Sequence, residues 1–358
     1  MVWGCGDNKR HSHISSSPEP QYLKDLTESA HHYADSVLTT LTLEERAGQC
    51  LMPSIQSKND SIVLNELTRF IEDYHVGGVV LMEGDLESAH ILSQIGKESK
   101  IPLFVAIDAE WGLGMRLVDA PVYTKNGRIA RDSEETGLFD YGRQIAEESR
   151  AVGINMILGP VIDISIEGDK TIGKRSFGYD PGLVSNYGVA YAKGVESGGV
   201  VTVAKHFPGH GRALNNSHVE IAQLKGGISA LDTMELRPFR EYINSGLSGI
   251  MAGHIQAHAL DPAGKAASVS IDMLTSLLRE EMGFKGLILT DAFNMGGARG
   301  LTATEALNAG ADIILCPSDL YWEHQNIMKD IKEGRLKIEI LDARCKRILF
   351  TKYIFSIV

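Results

Sequence analysis

The sequence predicts an α/β protein of the (β/α)8 TIM-barrel type, forming a single domain, and three observations carry that expectation. Eight short, almost wholly apolar runs recur, at residues 49–53, 78–82, 103–107, 155–164, 200–204, 249–252, 286–290 and 312–316. Between most of them lie stretches whose apolar residues repeat at helical spacing. Charged residues sit mostly at or just beyond the ends of the runs. Strands that are apolar on both faces must be covered on both faces, as in parallel sheets wrapped by helices. A doubly wound open sheet is the alternative. It would want a glycine-rich phosphate turn after an early strand, and neither GxGxxG nor GxxxxGK[ST] occurs there.

Taken in order, residues 1–20 are polar and rich in Pro and Ser, and are expected to form a disordered tail or tether. A helix is expected over 22–38. Thr42 and Glu45 then read as a capping box, in which each side chain satisfies a free amide of the other at a helix start. Ile62, Val63, Leu64, Leu67, Phe70 and Ile71 form one helical face. Tyr141, Ile145, Ala146 and Ser149 form another, followed by Val152-Gly153 with glycine at the helix C-cap. After the eighth run a final helix is expected over 341–353, with Arg344, Lys346 and Arg347 on its polar side. The barrel is expected to occupy residues 21–358.

Composition excludes several classes of function. With 46 acidic against 35 basic residues the formal charge is -11, which argues against nucleic acid or an anionic membrane as the main partner. No apolar run approaches the roughly 18 residues of a membrane-spanning helix. Cys5, Cys50, Cys316 and Cys345 form no CxxC, and those within apolar patterns read as buried thiols. Val2-Trp3-Gly4-Cys5 faintly resembles the end of a lipoprotein signal, without its charged and apolar regions. The expectation is therefore periplasmic or lipid-anchored if a truncated signal ends at Cys5, and cytoplasmic otherwise. A monomer is expected, with no metal or organic cofactor.

In a barrel the strand ends converge on one mouth, and the residues there define the chemistry. Asp108, Glu110 and Trp111 follow the third run, with Arg116 shortly after. Asp163 lies in the fourth, and the loop beyond carries Arg175. Lys205 and His206 follow the fifth run, His254 the sixth, and Asp291 the seventh. Carboxylates, two arginines, a lysine and a tryptophan in one cup suit a polyhydroxylated ligand, whose hydroxyls gain strength from charged partners. Plainer roles stay open for several of these residues. Asp291 could cap a helix, and Lys205 with Asp108 could form a structural ion pair. His206 could support the site from behind, His210 could order its Pro-Gly loop, and Trp111 could be wall packing instead of a sugar platform. His254 and His258 have the spacing of a helical metal pair, but the strand expected at 249–252 sets that reading aside.

The segments IDAEWGLGMR, GKRSFGYDP, AKHFPGHG…SH and LTDAFNMGGA resemble, in order, the signature segments of glycoside hydrolase family 3. The similarity spans roughly residues 40–350 and is greatest to the single-domain β-N-acetylglucosaminidase branch. It implies a retaining, exo-acting β-N-acetylhexosaminidase that trims N-acetylglucosamine from peptidoglycan fragments or chitin oligomers. By the resemblance Asp291 is the nucleophile and His218 the acid/base. Asp108, Arg116, Arg175, Lys205 and His206 grip the terminal sugar.

Two departures bear on that implication. Family members read KHFPGHGDTxxDSH where this chain reads KHFPGHGRALNNSH, so Arg212 and Asn216 replace two aspartates. Asparagine can still orient an imidazole N–H, but it does not stabilise the imidazolium by charge. After Arg116 the chain reads Val-Asp-Ala-Pro-Val-Tyr-Thr-Lys-Asn-Gly instead of a Pro-rich, small-apolar segment, which puts the wall of the sugar site in question. The alternatives are a diverged glycosidase or a phosphorylase acting on another sugar, or a sugar-binding homologue with little turnover.

Overall fold

A computed structural model describes residues 21–56, 61–132, 134–166, 171–214, 216–217 and 219–358. The expected tail at 1–20, Cys5 included, and His218 lie outside the described residues.

The α/β expectation holds, with a TIM-like arrangement of parallel strands and covering helices. The strands are β1 (Leu51–Met52), β2 (Ser54–Gln56), β3 (Gly78–Glu83), β4 (Phe104–Ile107), β5 (Met156–Ile157), β6 (Val201–Phe207), β7 (Ala222–Gln223), β8 (Gly249–Ala252), β9 (Ile255–Gln256), β10 (Leu287–Thr290) and β11 (Ile314–Leu315). Seven of them form one parallel sheet in the order β10-β8-β6-β5-β4-β3-β2. β1 pairs with β11, and Leu289 bridges to Ile313 beside β11. Only Pro53 separates β1 from β2, so the edges of the curled sheet approach each other through this pair. β7 and β9 make a separate two-stranded parallel ribbon that the apolar pattern did not reveal.

The core follows from the apolar runs. β3, β4, β8 and β10 are buried along most or all of their length, and their side chains join one large cluster with the inner faces of the helices. The helix Gln21–Leu38 begins one residue before its expected start. The Thr42–Glu45 capping box is present, the Glu45 N–H donating to Thr42 Oγ1 at 3.2 Å and the Thr42 N–H to Glu45 Oε2 at 2.8 Å. Leu67 is fully buried on Ser61–Glu72, and Phe70 and Ile71 pack beside it. Gly153 takes φ 79°, the left-handed conformation expected just past the helix Glu135–Ala151. Cys50, Cys316 and Cys345 are buried free thiols.

Other boundaries need correction. The first run starts later than expected, because Gln49 closes the helix Leu43–Gln49. Of the fourth run only Met156–Ile157 is strand. Pro160 lacks the N–H that a ladder needs, and beyond it contact with β6 survives as the single bridge Val161↔Lys205. The helix Leu320–Lys332 went unread, and the last helix is Ile338–Ile354, longer than expected.

Candidate active site

The carboxyl ends of the strands surround a cavity of about 330 Å³, at the small end of the range for small-molecule sites. Asp108, Arg116, Arg175, Lys205, His206 and Asp291 all line it. The six described residues to which the resemblance gave binding or catalytic roles thus meet in one place, whereas Asp163, His254 and Trp111, also expected at the mouth, do not line the cavity. Glu110, expected at the mouth, and His210, expected to order its loop, also line it, as do Ser217, Asn294 and Met295, which the sequence did not mark. Glu110 was legible as a strand-end carboxylate, though without a stated role. It stands two residues from Asp108, so on extended chain both side chains leave on one side.

β6 delivers two neighbours at once. Adjacent residues of a strand point to opposite faces, yet Lys205 and His206 both line the cavity. The register of β6 against β8 shifts between Ala204 and Phe207, and such an irregularity re-aims side chains. The loop beyond is held close by its glycines. A Cβ on Gly211 would lie 1.8 Å from the Ile164 carbonyl oxygen, and Gly209 adopts φ 131° against Glu235.

A row of alternating charges lines one side. Arg116 pairs with Asp108. Lys205 Nζ stands 2.7 Å from Asp108 Oδ1 and 2.9 Å from Glu110 Oε1. Arg175 grips Glu110 with two bonds, Nη2 to Oε1 at 2.7 Å and Nε to Oε2 at 3.0 Å. Burial alone would raise both carboxyl pKa values, but Lys205 with Arg116 holds Asp108, and Lys205 with Arg175 holds Glu110, below the usual range. The structural ion pair considered for Lys205 and Asp108 therefore exists within the cavity wall.

Asp163 anchors the histidines. Its carboxylate accepts the His206 N–H at 3.1 Å and the His210 N–H at 2.6 Å, and Oδ2 lies 2.7 Å from His206 Nδ1. Burial raises the Asp163 pKa, yet His206 and its hydrogen bonds hold it below the ordinary value. An ionised carboxylate only accepts, so His206 Nδ1 carries the proton and Nε2 is left for the cavity. His206 is thus both supported from behind and present in the cavity wall. His210 orders its loop, as expected, with Nε2 3.0 Å from Ser217 Oγ.

Asp291 is different. It is 9% exposed, and among the described residues the one hydrogen bond to its carboxylate comes from the Ala292 N–H to Oδ1 at 2.8 Å, with no ion pair. Burial raises its pKa, but His206, His254, that N–H and Lys205 together bring it below the ordinary value. Burial lowers the pKa of His254, which bonds Ser268 Oγ through Nδ1 at 2.8 Å and the Ala292 carbonyl through Nε2 at 3.1 Å. No metal-binding cluster of His, Cys, Asp or Glu is found among the described residues.

Two residues left open by the sequence stand outside the charged row. Trp111 does not line the cavity, and Lys125 Nζ sits over its ring at 4.9 Å. Arg212 is engaged by Glu235, with Nη2 2.6 Å from Oε2 and a second bond from Nε to Oε1.

The glycosyl hydrolase family 3 N-terminal domain matches residues 42–351. The chain belongs to glycosyl hydrolase family 3. A beta-hexosaminidase of Nitrosomonas eutropha is 35% identical over 260 residues, covering 68% of this chain and 74% of the relative. A family 3 beta-N-acetylglucosaminidase structure from Paenibacillus sp. str. FPU-7 is 28% identical with a TM-score of 0.82, covering 88% of this chain and 63% of that one. The beta-glucoside phosphorylase BglX superposes with a TM-score of 0.86 at 24% identity, covering 92% of this chain and 62% of that chain, a likeness of fold alone. Family 3 membership makes this chain a glycoside hydrolase.

Proposed function

We propose that this family 3 chain is a retaining exo-β-N-acetylhexosaminidase, releasing terminal N-acetylglucosamine from peptidoglycan fragments or chitin-type oligosaccharides. The observation that carries the reading is Asp291, a buried, ionised carboxylate with no ion pair among the described residues, facing a cavity otherwise lined by paired charges. Paired carboxylates are poor nucleophiles because their lone pairs are engaged. Asp291 is not so engaged. The beta-hexosaminidase relatives support the sugar, and the ring of parallel strands is read as one (β/α)8 barrel carrying the whole site.

In this reading Asp108, Arg116, Arg175, Lys205 and His206 hold the hydroxyls and acetamido group of the terminal sugar. Asp291 attacks the anomeric carbon as the bond to the leaving oxygen breaks, and His218 gives that oxygen its proton. His218, now neutral, takes a proton from water. The hydroxide so formed displaces Asp291, and two inversions give net retention. Transfer to phosphate instead of water is less well supported. Lys205, Arg116 and Arg175 already face carboxylates, and Arg212 is spent on Glu235.

The test is hydrolysis of an aryl β-N-acetylglucosaminide followed by anomer-resolved NMR, with and without phosphate. The β-anomer of free N-acetylglucosamine should appear first, and Asp291→Ala should lose turnover while keeping its fold by circular dichroism. An initial α-anomer, a sugar phosphate, or no turnover of any β-glycoside would overturn the reading.

A further inference from the structure

A second cavity, about 440 Å³, opens beside the first, and Asn294 and Met295 line both. One wall is the segment that follows Asp291, and the other is the turn after β11 that opens the helix Leu320–Lys332. The Ser318 hydroxyl donates to the Phe293 carbonyl at 2.8 Å and ties the two walls together. Trp322 stands in this cavity with 49% of its surface exposed, an unusual position for the largest apolar side chain. Its backbone N–H donates to Asp319 Oδ1 at 2.9 Å, which fixes the turn that presents the ring. Asn294, Arg299, Thr302 and Asp319 add hydroxyl-binding groups around it, and Arg299 has no ion-pair partner among the described residues.

One aromatic face ringed by amide, guanidinium, hydroxyl and carboxylate groups matches a sugar ring, which offers a C–H face to stack and hydroxyls at its edge. We infer that this second cavity is the subsite for the leaving part of the substrate. There a saccharide unit beyond the scissile bond stacks on Trp322 and bonds Arg299 and Asp319. The inference rests on the glycosidase reading above and adds to it a preference for oligosaccharides over simple glycosides.

Two measurements test it. In the first, kcat/KM is compared for an aryl β-N-acetylglucosaminide and the β-1,4-linked trimer of N-acetylglucosamine. The ratio of trimer to aryl substrate should fall about fivefold or more in Trp322→Ala, mainly through KM, and return in Trp322→Phe. In the second, the Asp291→Ala protein is titrated with N-acetylglucosamine and with the trimer while tryptophan fluorescence is followed. The trimer alone should quench, and Trp322→Phe should abolish the quench. A ratio that Trp322→Ala leaves unmoved overturns the inference, as does a quench that survives Trp322→Phe or never occurs. If the wild type hydrolyses neither substrate, the glycosidase reading fails, and the titration still decides whether Trp322 meets a sugar.

Discussion

Asp108 and Asp291 both follow buried strands, and their neighbours divide their labour. Asp108 is clamped between Lys205 and Arg116, whereas the Asp291 carboxylate feels two histidines at a distance and accepts one backbone N–H. The departures in the loop after β6 can be weighed in the same way. Glu235 has a carboxylate 1% exposed, and Arg212 is its counter-ion. Arg212→Ala leaves that charge buried and alone, so the protein should lose about 3 kcal/mol of stability in urea denaturation. A change below about 0.5 kcal/mol would mean that water reaches Glu235. Because Glu235 holds Arg212, an aspartate at position 216 need not compete for it. Asn216→Asp should then raise the pKa of His218 by an opposite charge nearby. It should increase kcat/KM near neutral pH for substrates with poor leaving groups. Activated aryl substrates, which need little protonation, should gain much less. Equal gains on both would remove His218 from the proton transfer.

At the scale of elements, the site depends on segments that are barely regular. Arg175 sits in a single 3-10 turn, Gly173–Arg175, and its carbonyl accepts from Asn126 Nδ2 at 3.0 Å. Asn126 is fully buried at the start of the helix Asn126–Asp132, so one side chain links that helix to the arginine's backbone. Asn126→Ala should lower kcat/KM about tenfold by misplacing Arg175, a loss of the size that small displacements bring. Stability should fall by only about 1 kcal/mol, as for one lost hydrogen bond. Steady-state kinetics with thermal denaturation separates the two, and a proportionate loss of both would make Asn126 merely structural. β6 shows the limit of periodicity. Its apolar run is plain in the sequence, but the register shift that turns Lys205 and His206 to one side depends on β8 next to it.

For the molecule as a whole, one costly buried group lies away from the mouth. Lys352 is fully buried, donates from Nζ to Gln49 Oε1 at 2.9 Å and lies 5.1 Å from the Phe104 ring centre. Burial brings its pKa down to about 7. Below that value the amine is charged whether folded or unfolded, and folding bears the whole cost of burying the charge. Between about 7 and the ordinary lysine value near 10.4 only the unfolded chain binds the proton, so this group adds stability as pH rises. Lys352→Met removes the titration. Relative to wild type the variant should be most favoured at pH 6, and its advantage should shrink by a few kcal/mol by pH 10. Denaturation at both pH values checks this, and a constant difference would place the amine in contact with water.

The sequence by itself determined the parallel α/β class, most of the strand positions and the six described residues that meet in the cavity. All of these follow from local facts: apolar runs need burial, and charges at their ends mark where the apolar bed gives way to a polar cavity. Tertiary structure alone decided how the charges are shared. Glu110 bridging Lys205 and Arg175, Asp163 holding two histidines, and Arg212 closing on Glu235 all join residues from different strands or loops. No spacing along the chain encodes such a pairing, because it exists only after the sheet has curled and brought distant strand ends within a few ångströms. The Trp322 cavity belongs to the same category, since its two walls come from consecutive strand-end segments that meet only in the folded mouth.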